Sequence, residues 1–112
     1  MKIENTKAQM RKGILELCVL SIIAEKEAYP SDIIKTLKEN KLIVVEGTLY
    51  PLLTRLKNSD LLGYSWKESK SGPPRKYYNL TETGSEFLKE LLKTWDQLSH
   101  AVSQSTKKLK VK

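Results

Sequence analysis

Residues 46–56 read Glu46-Gly47-Thr48-Leu49-Tyr50-Pro51-Leu52-Leu53-Thr54-Arg55-Leu56. Leu49, Leu52, Leu53 and Leu56 recur at i, i+3, i+4 and i+7, the spacing that aligns one apolar stripe along an α-helix. That stripe must be buried. The opposite face carries Thr48, Tyr50, Pro51, Thr54, Lys57 and Asn58, a set of hydroxyls, one amide and one cation without a carboxylate. Such a face suits the groove of a nucleic acid, so the stretch reads as the recognition helix of a DNA-binding domain. The helix is predicted to begin near Gly47, with Pro51 tolerated in its first turn, where the missing amide hydrogen has no intrahelical partner. It ends around Asn58-Ser59-Asp60, a turn-forming triplet.

Upstream of this helix the chain must supply a scaffold. Lys2, Lys7, Arg11 and Lys12 stand against Glu4 before an apolar stretch from Ile14 to Ala24. The pattern predicts a helix from about Lys7 to Glu25 whose apolar residues cover nearly the whole circumference, so it packs both on its own domain and on a partner. Cys18 in that setting reads as a small core residue rather than a reactive thiol. Tyr29-Pro30 interrupts the pattern, and Ser31 is expected to cap a second helix through about Asn40, with Asp32 near its positive end. Its stripe is Ile33, Ile34 and Leu37, with Lys35 and Lys38 outward. Leu42–Val45 is β-branched and apolar, and fits either a short extended segment or a buried connection.

Downstream, Tyr64–Glu68 and Arg75–Leu80 read as strands of a β-hairpin. The six residues between them, Ser69 to Pro74, are too many for a tight two-residue turn. They carry Lys70, with Lys67, Arg75 and Lys76 at the base, and a basic hairpin after three helices is the wing of a winged helix-turn-helix domain. Strand alternation sends Arg75 and Lys76 to opposite faces, and allows only one of Tyr77 and Tyr78 to be fully buried. Thr81 then caps a long helix to about Ser105. Within it Gly84, Leu88, Leu91, Trp95, Leu98 and Val102 are spaced 4, 3, 4, 3 and 4, the alternation of a coiled-coil seam that needs a partner. Phe87 and Leu92 widen the stripe toward the first helix. The tail Lys107–Lys112 is basic and expected to be frayed. The fold expected is mainly α with a small β-hairpin: residues 1–80 form the winged helix-turn-helix DNA-binding domain, and residues 81–112 the C-terminal dimerisation helix and basic tail.

Composition sets the outer limits. The 112 residues are 39% hydrophobic and 29% charged, as in an ordered globular chain of one domain, one short enough that association can add to its stability. Twenty Lys and Arg against thirteen Asp and Glu give a net charge of +7 and a pI near 9.5, which favours a polyanionic partner. A lone cysteine and a lone histidine leave no intramolecular disulfide framework and no zinc-ligand spacing. No nucleophile is paired with a base and no glycine-rich loop cradles phosphate, so neither catalysis nor a metal or cofactor is expected. The longest apolar run, Leu17 to Ala24, is interrupted by Ser21 and too short to cross a bilayer, and the charged N-terminal residues do not form a signal peptide. A cytoplasmic chain without membrane contact is expected.

Three blocks carry a resemblance: Arg11-Lys12-Gly13 leading into Leu15-Glu16; Glu46-Gly47-Thr48-Leu49-Tyr50-Pro51 with Arg55-Leu56; and Gly72-Pro73 with Arg75-Lys76-Tyr77-Tyr78-Asn79-Leu80-Thr81. In these, and over nearly its whole length, the sequence resembles the short members of the PadR family of bacterial transcriptional regulators. It departs from the family at Pro30, where glycine is usual, and at the extra proline of Gly72-Pro73-Pro74-Arg75, which leaves the turn into the second helix and the wing tip open. The resemblance implies a winged-helix homodimer whose terminal helices cross-pack with the partner's first helix. It also implies a repressor on a palindromic operator, released in many members by a small molecule.

For the DNA-facing surface the residues expected are Thr48, Tyr50, Pro51 and Thr54 in the groove, with Arg55 and Lys57 on phosphate. Lys70, Arg75 and Lys76 add the wing, its tip directed toward the minor groove, and Lys7, Arg11 and Lys12 the N-terminal turn. Specificity then leans on hydroxyls, thymine methyl contacts and DNA shape. Two alternatives stay open: Tyr50 can merely pack, and Arg55 can pair with Glu46 or another acid within the fold. The dimer interface expected is Phe87, Leu88, Leu91, Leu92, Trp95, Leu98 and Val102 against Ile14 and Cys18. Trp95 is either a large residue at that seam or one wall of a cavity for a small aromatic effector. A nonspecific architectural DNA-binding protein and an interaction module that kept the fold are the alternative functions.

Overall fold

The computed structural model describes residues 2–109. In order, the elements are α1 (Ile3–Glu25), α2 (Pro30–Glu39), α3 (Glu46–Asn58), β1 (Leu62–Ser69), β2 (Gly72–Leu80) and α4 (Glu82–Thr106). The architecture is mainly helical with one antiparallel hairpin, as expected. Val19, Leu20 and Ile23 of α1 meet Ile33 and Leu37 of α2 and Leu49, Leu53 and Leu56 of α3 in one core, closed by Leu62 and Tyr78 of the hairpin. Because all four leucines of the α3 stripe are buried, the opposite face of that helix points outward.

Several boundaries differ from those read in the sequence, each for a local reason. α1 begins at Ile3, ahead of Lys7, since Lys, Gln and Met in its first turns are good helix formers. α2 is capped by Tyr29 rather than Ser31: Pro30 supplies the preset φ of a first helical residue, and Asp32 Oδ2 accepts a hydrogen bond from the Tyr29 N–H at 3.4 Å. Pro51 lies in the second turn of α3, not the first, because that helix starts at Glu46. The Gly47 carbonyl four residues back therefore lacks its helical donor, and being at an exposed residue it is open to water. Just past their C-caps Asn40 and Ser59, both α2 and α3 are followed by a residue of positive φ, Lys41 at 70° and Asp60 at 62°. The chain then closes back through Leu42 N–H to the Leu37 carbonyl (2.8 Å) and Leu61 N–H to the Leu56 carbonyl (3.0 Å). Leu42–Val45 is an irregular connection that alternates sides: Leu42 and Val44 pack against the core, while Ile43 and Val45 are exposed.

The hairpin corrects the sequence reading most. Its strands continue through the region taken as a loop and turn over Lys70 and Ser71 alone. Pairing runs from Leu62↔Leu80 to Lys67↔Arg75 and resumes at Ser69↔Gly72, so β2 holds one extra residue in a bulge at Pro73-Pro74. Prolines have no N–H to give the ladder, and a bulge is where a sheet accepts them. Ser69 Oγ donates to the Pro73 carbonyl at 3.1 Å across the bulge. At its base the hairpin is tied to the α1–α2 junction, where Ala28 and Tyr78 exchange backbone hydrogen bonds of 3.0 and 2.8 Å.

Thr81 caps α4 as expected, its Oγ1 accepting the Gly84 N–H at 2.9 Å and donating to the Asp60 carbonyl at 2.6 Å. Gly84 is not the first position of a seam. It is buried where the start of α4 rests on the turn between α3 and β1, and a Cβ there would stand 2.1 Å from the Leu61 carbonyl oxygen. Leu88 is likewise buried in the chain's own core. Beyond Leu91 the helix continues beside the N-terminal half of α1, and the radius of gyration is 16.3 Å, against about 13 Å for a compact chain of this length. Of the basic tail, Lys107–Leu109 is exposed, while residues 110–112 lie outside the described residues. No helix among the described residues is long and apolar enough to cross a membrane.

Candidate nucleic-acid interface

The burial of one α3 face decides what the other presents. Thr48, Tyr50, Pro51 and Thr54 are all exposed along the outward face of α3. Tyr50 is 47% exposed, so it is not a packing residue. Partial desolvation, and then the nearby Glu46 carboxylate, push its phenol up, which keeps it a neutral donor and acceptor.

The cations around this face sort by what holds them. Arg55 Nη1 lies 3.3 Å from Glu16 Oε1 of α1, so the acid that pairs it is Glu16 and not Glu46. Lys7 is 3.7 Å from Glu4, and Lys67 of β1 pairs with Glu27. These three have part of their charge answered within the fold. Among the described residues no carboxylate comes within 4 Å of Arg11, Lys12, Lys57, Lys70, Arg75 or Lys76.

Three of those six are instead held by aromatic rings. The Arg75 guanidinium stands 4.8 Å from the centroid of Tyr29. On the other face of the hairpin, Lys76 Nζ is 4.0 Å from the Tyr64 centroid, with Trp66 and Tyr78 at 5.9 and 5.5 Å. Lys57 Nζ, at the end of α3, reaches the same Tyr64 ring at 5.5 Å. The alternation expected of β2 is present: Tyr78 is buried and Tyr77 half-buried, its ring 5.8 Å from Tyr29. Lys70 occupies the exposed turn. Arg11 and Lys12 border a groove of about 400 Å³ that also reaches Thr48, so the N-terminal cations and the start of α3 share one surface. Lys7, paired one turn earlier, is not part of it.

A second feature lies away from this surface. Met10, Gly13, Ile14 and Leu17 of α1 face Leu91, Trp95, Leu98 and Val102 of α4 across an apolar groove of about 410 Å³. Phe87 and Leu92 are exposed on the same helix, and Cys18 is half-buried with its thiol pushed up by burial. Among the described residues no His, Cys, Asp and Glu groups are placed to hold a metal ion.

The model of the transcriptional regulator PadR-like family matches residues 19–90, from α1 into α4. The chain belongs to the PadR family. Solved PadR structures agree with it: a PadR-like transcription factor from Bacteroides fragilis is 60% identical, over 89% of this chain and 97% of that one, with a TM-score of 0.76. A PadR-like regulator from Bacillus cereus is 38% identical over 93% and 99% of the two chains, with a TM-score of 0.78. One from Eggerthella lenta is 32% identical over 91% and 89%, with a TM-score of 0.82. An uncharacterised protein of Lysinibacillus sphaericus is 28% identical over 99 residues, 86% of this chain and 91% of its own. PadR proteins are DNA-binding transcriptional regulators, a family that is not generally enzymatic, and the outward face of α3, with Lys57 on the helix and Arg11 and Lys12 across the groove from Thr48, is in keeping with that.

The sequence reading did not single out Tyr29, Tyr64 and Trp66 as holders of these cations, nor Glu16 and Glu27 as acids that occupy others. The signal for the ring cluster was the period-two match of Tyr64 and Trp66 with Lys76 and Tyr78. It becomes readable only once the strand register is known, and the misread loop length hid that register.

Proposed function

We propose that this PadR-family chain is a ligand-responsive repressor, acting in the bacterial cytoplasm as a homodimer on a palindromic operator. Residues 1–80 are the DNA-binding unit and residues 81–112 the dimerisation unit. The observation that carries this reading is the outer half of α4, where Leu92, Trp95, Leu98 and Val102 stay 42 to 60% exposed along one helix although the last three border the groove with α1. A second copy supplying its α1 and α4 would bury them together with Ile14 and Cys18, and would fix the distance between two copies of α3. On each copy, Thr48, Tyr50, Pro51 and Thr54 enter the major groove. Arg11, Lys12, Lys57, Lys70, Arg75 and Lys76 meet phosphates, and Arg55 and Lys7 contribute less because Glu16 and Glu4 already face them.

Selection of binding sites from a random duplex pool tests the operator. Enriched sequences should be two-fold symmetric, with half-site centres about 34 to 36 Å apart. Enrichment of asymmetric sites, or none, contradicts it. The effector reading rests on Trp95, whose indole opens onto the groove between α1 and α4. With Trp66→Phe leaving Trp95 as the one indole, a planar cationic dye should quench fluorescence saturably and weaken operator binding. An unquenched indole at high dye concentration removes the effector site and leaves the DNA-binding reading standing.

A further inference from the structure

Acid-paired and ring-held cations differ in what they offer a polyanion. A carboxylate partner neutralises the charge it positions, whereas an aromatic face restrains an ammonium group and leaves its charge whole. Lys57 and Lys76 come from different elements, the end of α3 and the base of the wing, yet both converge on the Tyr64 ring at 5.5 and 4.0 Å. Neither has a carboxylate within 4 Å among the described residues. Two like charges gathered on one ring with no acid between them repel each other, and a phosphodiester strand is the partner that relieves this.

Building on the DNA-binding reading above, we propose that Lys57 and Lys76 form one backbone clamp that grips the DNA strand where the recognition helix meets the wing, and that Tyr64 is its positioning residue. Tyr64 does its work before DNA arrives. It is 39% exposed on β1, braced edge-on by Trp66 at 6.3 Å and at a tilt by the buried Tyr78 at 6.3 Å, with Lys57 exposed and Lys76 half-buried beside it. Holding two flexible side chains near their bound positions lowers the ordering cost of binding without adding a contact to DNA. The clamp also joins α3 to the wing, so the two elements meet DNA as one body.

The test is binding of the full chain to a short mixed-sequence duplex, followed by fluorescence anisotropy over a range of salt. Lys57→Gln and Lys76→Gln should each flatten the slope of log K against log salt by about 0.9, one phosphate's worth. Tyr64→Leu should weaken binding roughly three- to tenfold at every salt concentration with the slope unchanged, since no charge is lost. Tyr64→Phe keeps the ring and should restore wild-type affinity. The deciding comparison places Tyr64→Leu in the Lys57→Gln/Lys76→Gln background, where its cost should vanish. A cost that persists there overturns the proposal, because Tyr64 would then act on DNA or on the wing by itself. An unchanged slope in both lysine variants overturns the clamp. Wild-type chain that fails to bind any duplex would instead refute the DNA-binding reading. Should Tyr64→Leu not fold, the free protein carries the same question: the Lys57 and Lys76 side-chain Hε resonances should show upfield ring shifts, and random-coil values would refute the juxtaposition.

Discussion

The head of this molecule and the outer half of α4 are built from the same kind of sequence and end in opposite states. In the head, the 3.6-residue stripes of α1, α2 and α3 face one another and bury Leu20, Ile33, Leu37, Leu49, Leu53 and Leu56 almost completely. In the arm, the stripe continues at the same period through Trp95, Leu98 and Val102, which remain 42, 55 and 60% exposed. Periodicity thus states that a face will be covered without saying by whom. The joint between the two regions is Thr81 to Leu88, where a side-chain cap, a glycine and a leucine lock α4 to the turn between α3 and β1. The family match, residues 19–90, begins within α1, spans the rest of the head and the joint, and stops before the exposed arm.

The largest effect should come from the arm. Trp95→Ser with Leu98→Ser removes two apolar anchors from each copy and should weaken self-association by roughly 4 kcal/mol, about a thousandfold, while leaving the far-ultraviolet circular dichroism of the head intact. Loss of helical signal in step with dissociation would show that head and arm are not separable. Gly84→Ala strikes the joint instead: the added Cβ meets a backbone carbonyl that cannot turn aside, so α4 must shift. Chemical denaturation should register a loss of about 3 kcal/mol, and an alanine tolerated within a few tenths would mean that the close crossing is absent. Thr81→Ala keeps the crossing and removes the cap to Gly84, at a cost of about 1 kcal/mol in the same experiment. The smallest change sharpens the head alone. Lys41 holds a φ of 70° that glycine adopts freely, so Lys41→Gly should gain roughly 0.5 kcal/mol without altering self-association.

What the sequence disclosed follows from the range over which each interaction acts. The stripe of α3, the Thr81 cap and the extent of α4 depend on residues within four positions of one another, and all were legible. The tight turn at Lys70-Ser71 was not, because two prolines suggested a loop where a bulge accommodates them. At the candidate site the outward face of α3 could be read directly, whereas the partners of the cations could not. Arg55 meets Glu16 across 39 residues and Lys67 meets Glu27 across 40, distances at which spacing carries no signal. Gly84 shows the same limit from the other side. Its place in the 4-3-4 spacing fitted a seam, and only the approach of the Leu61 carbonyl shows it belongs to a joint.

Sedimentation equilibrium of the wild-type chain beside the Trp95→Ser/Leu98→Ser variant tests the division between head and arm most directly. Wild type should sediment at twice the 12.8 kDa chain mass, and the variant, still folded, at the single-chain mass. A wild-type monomer at high concentration, or a variant that remains dimeric, would contradict the account.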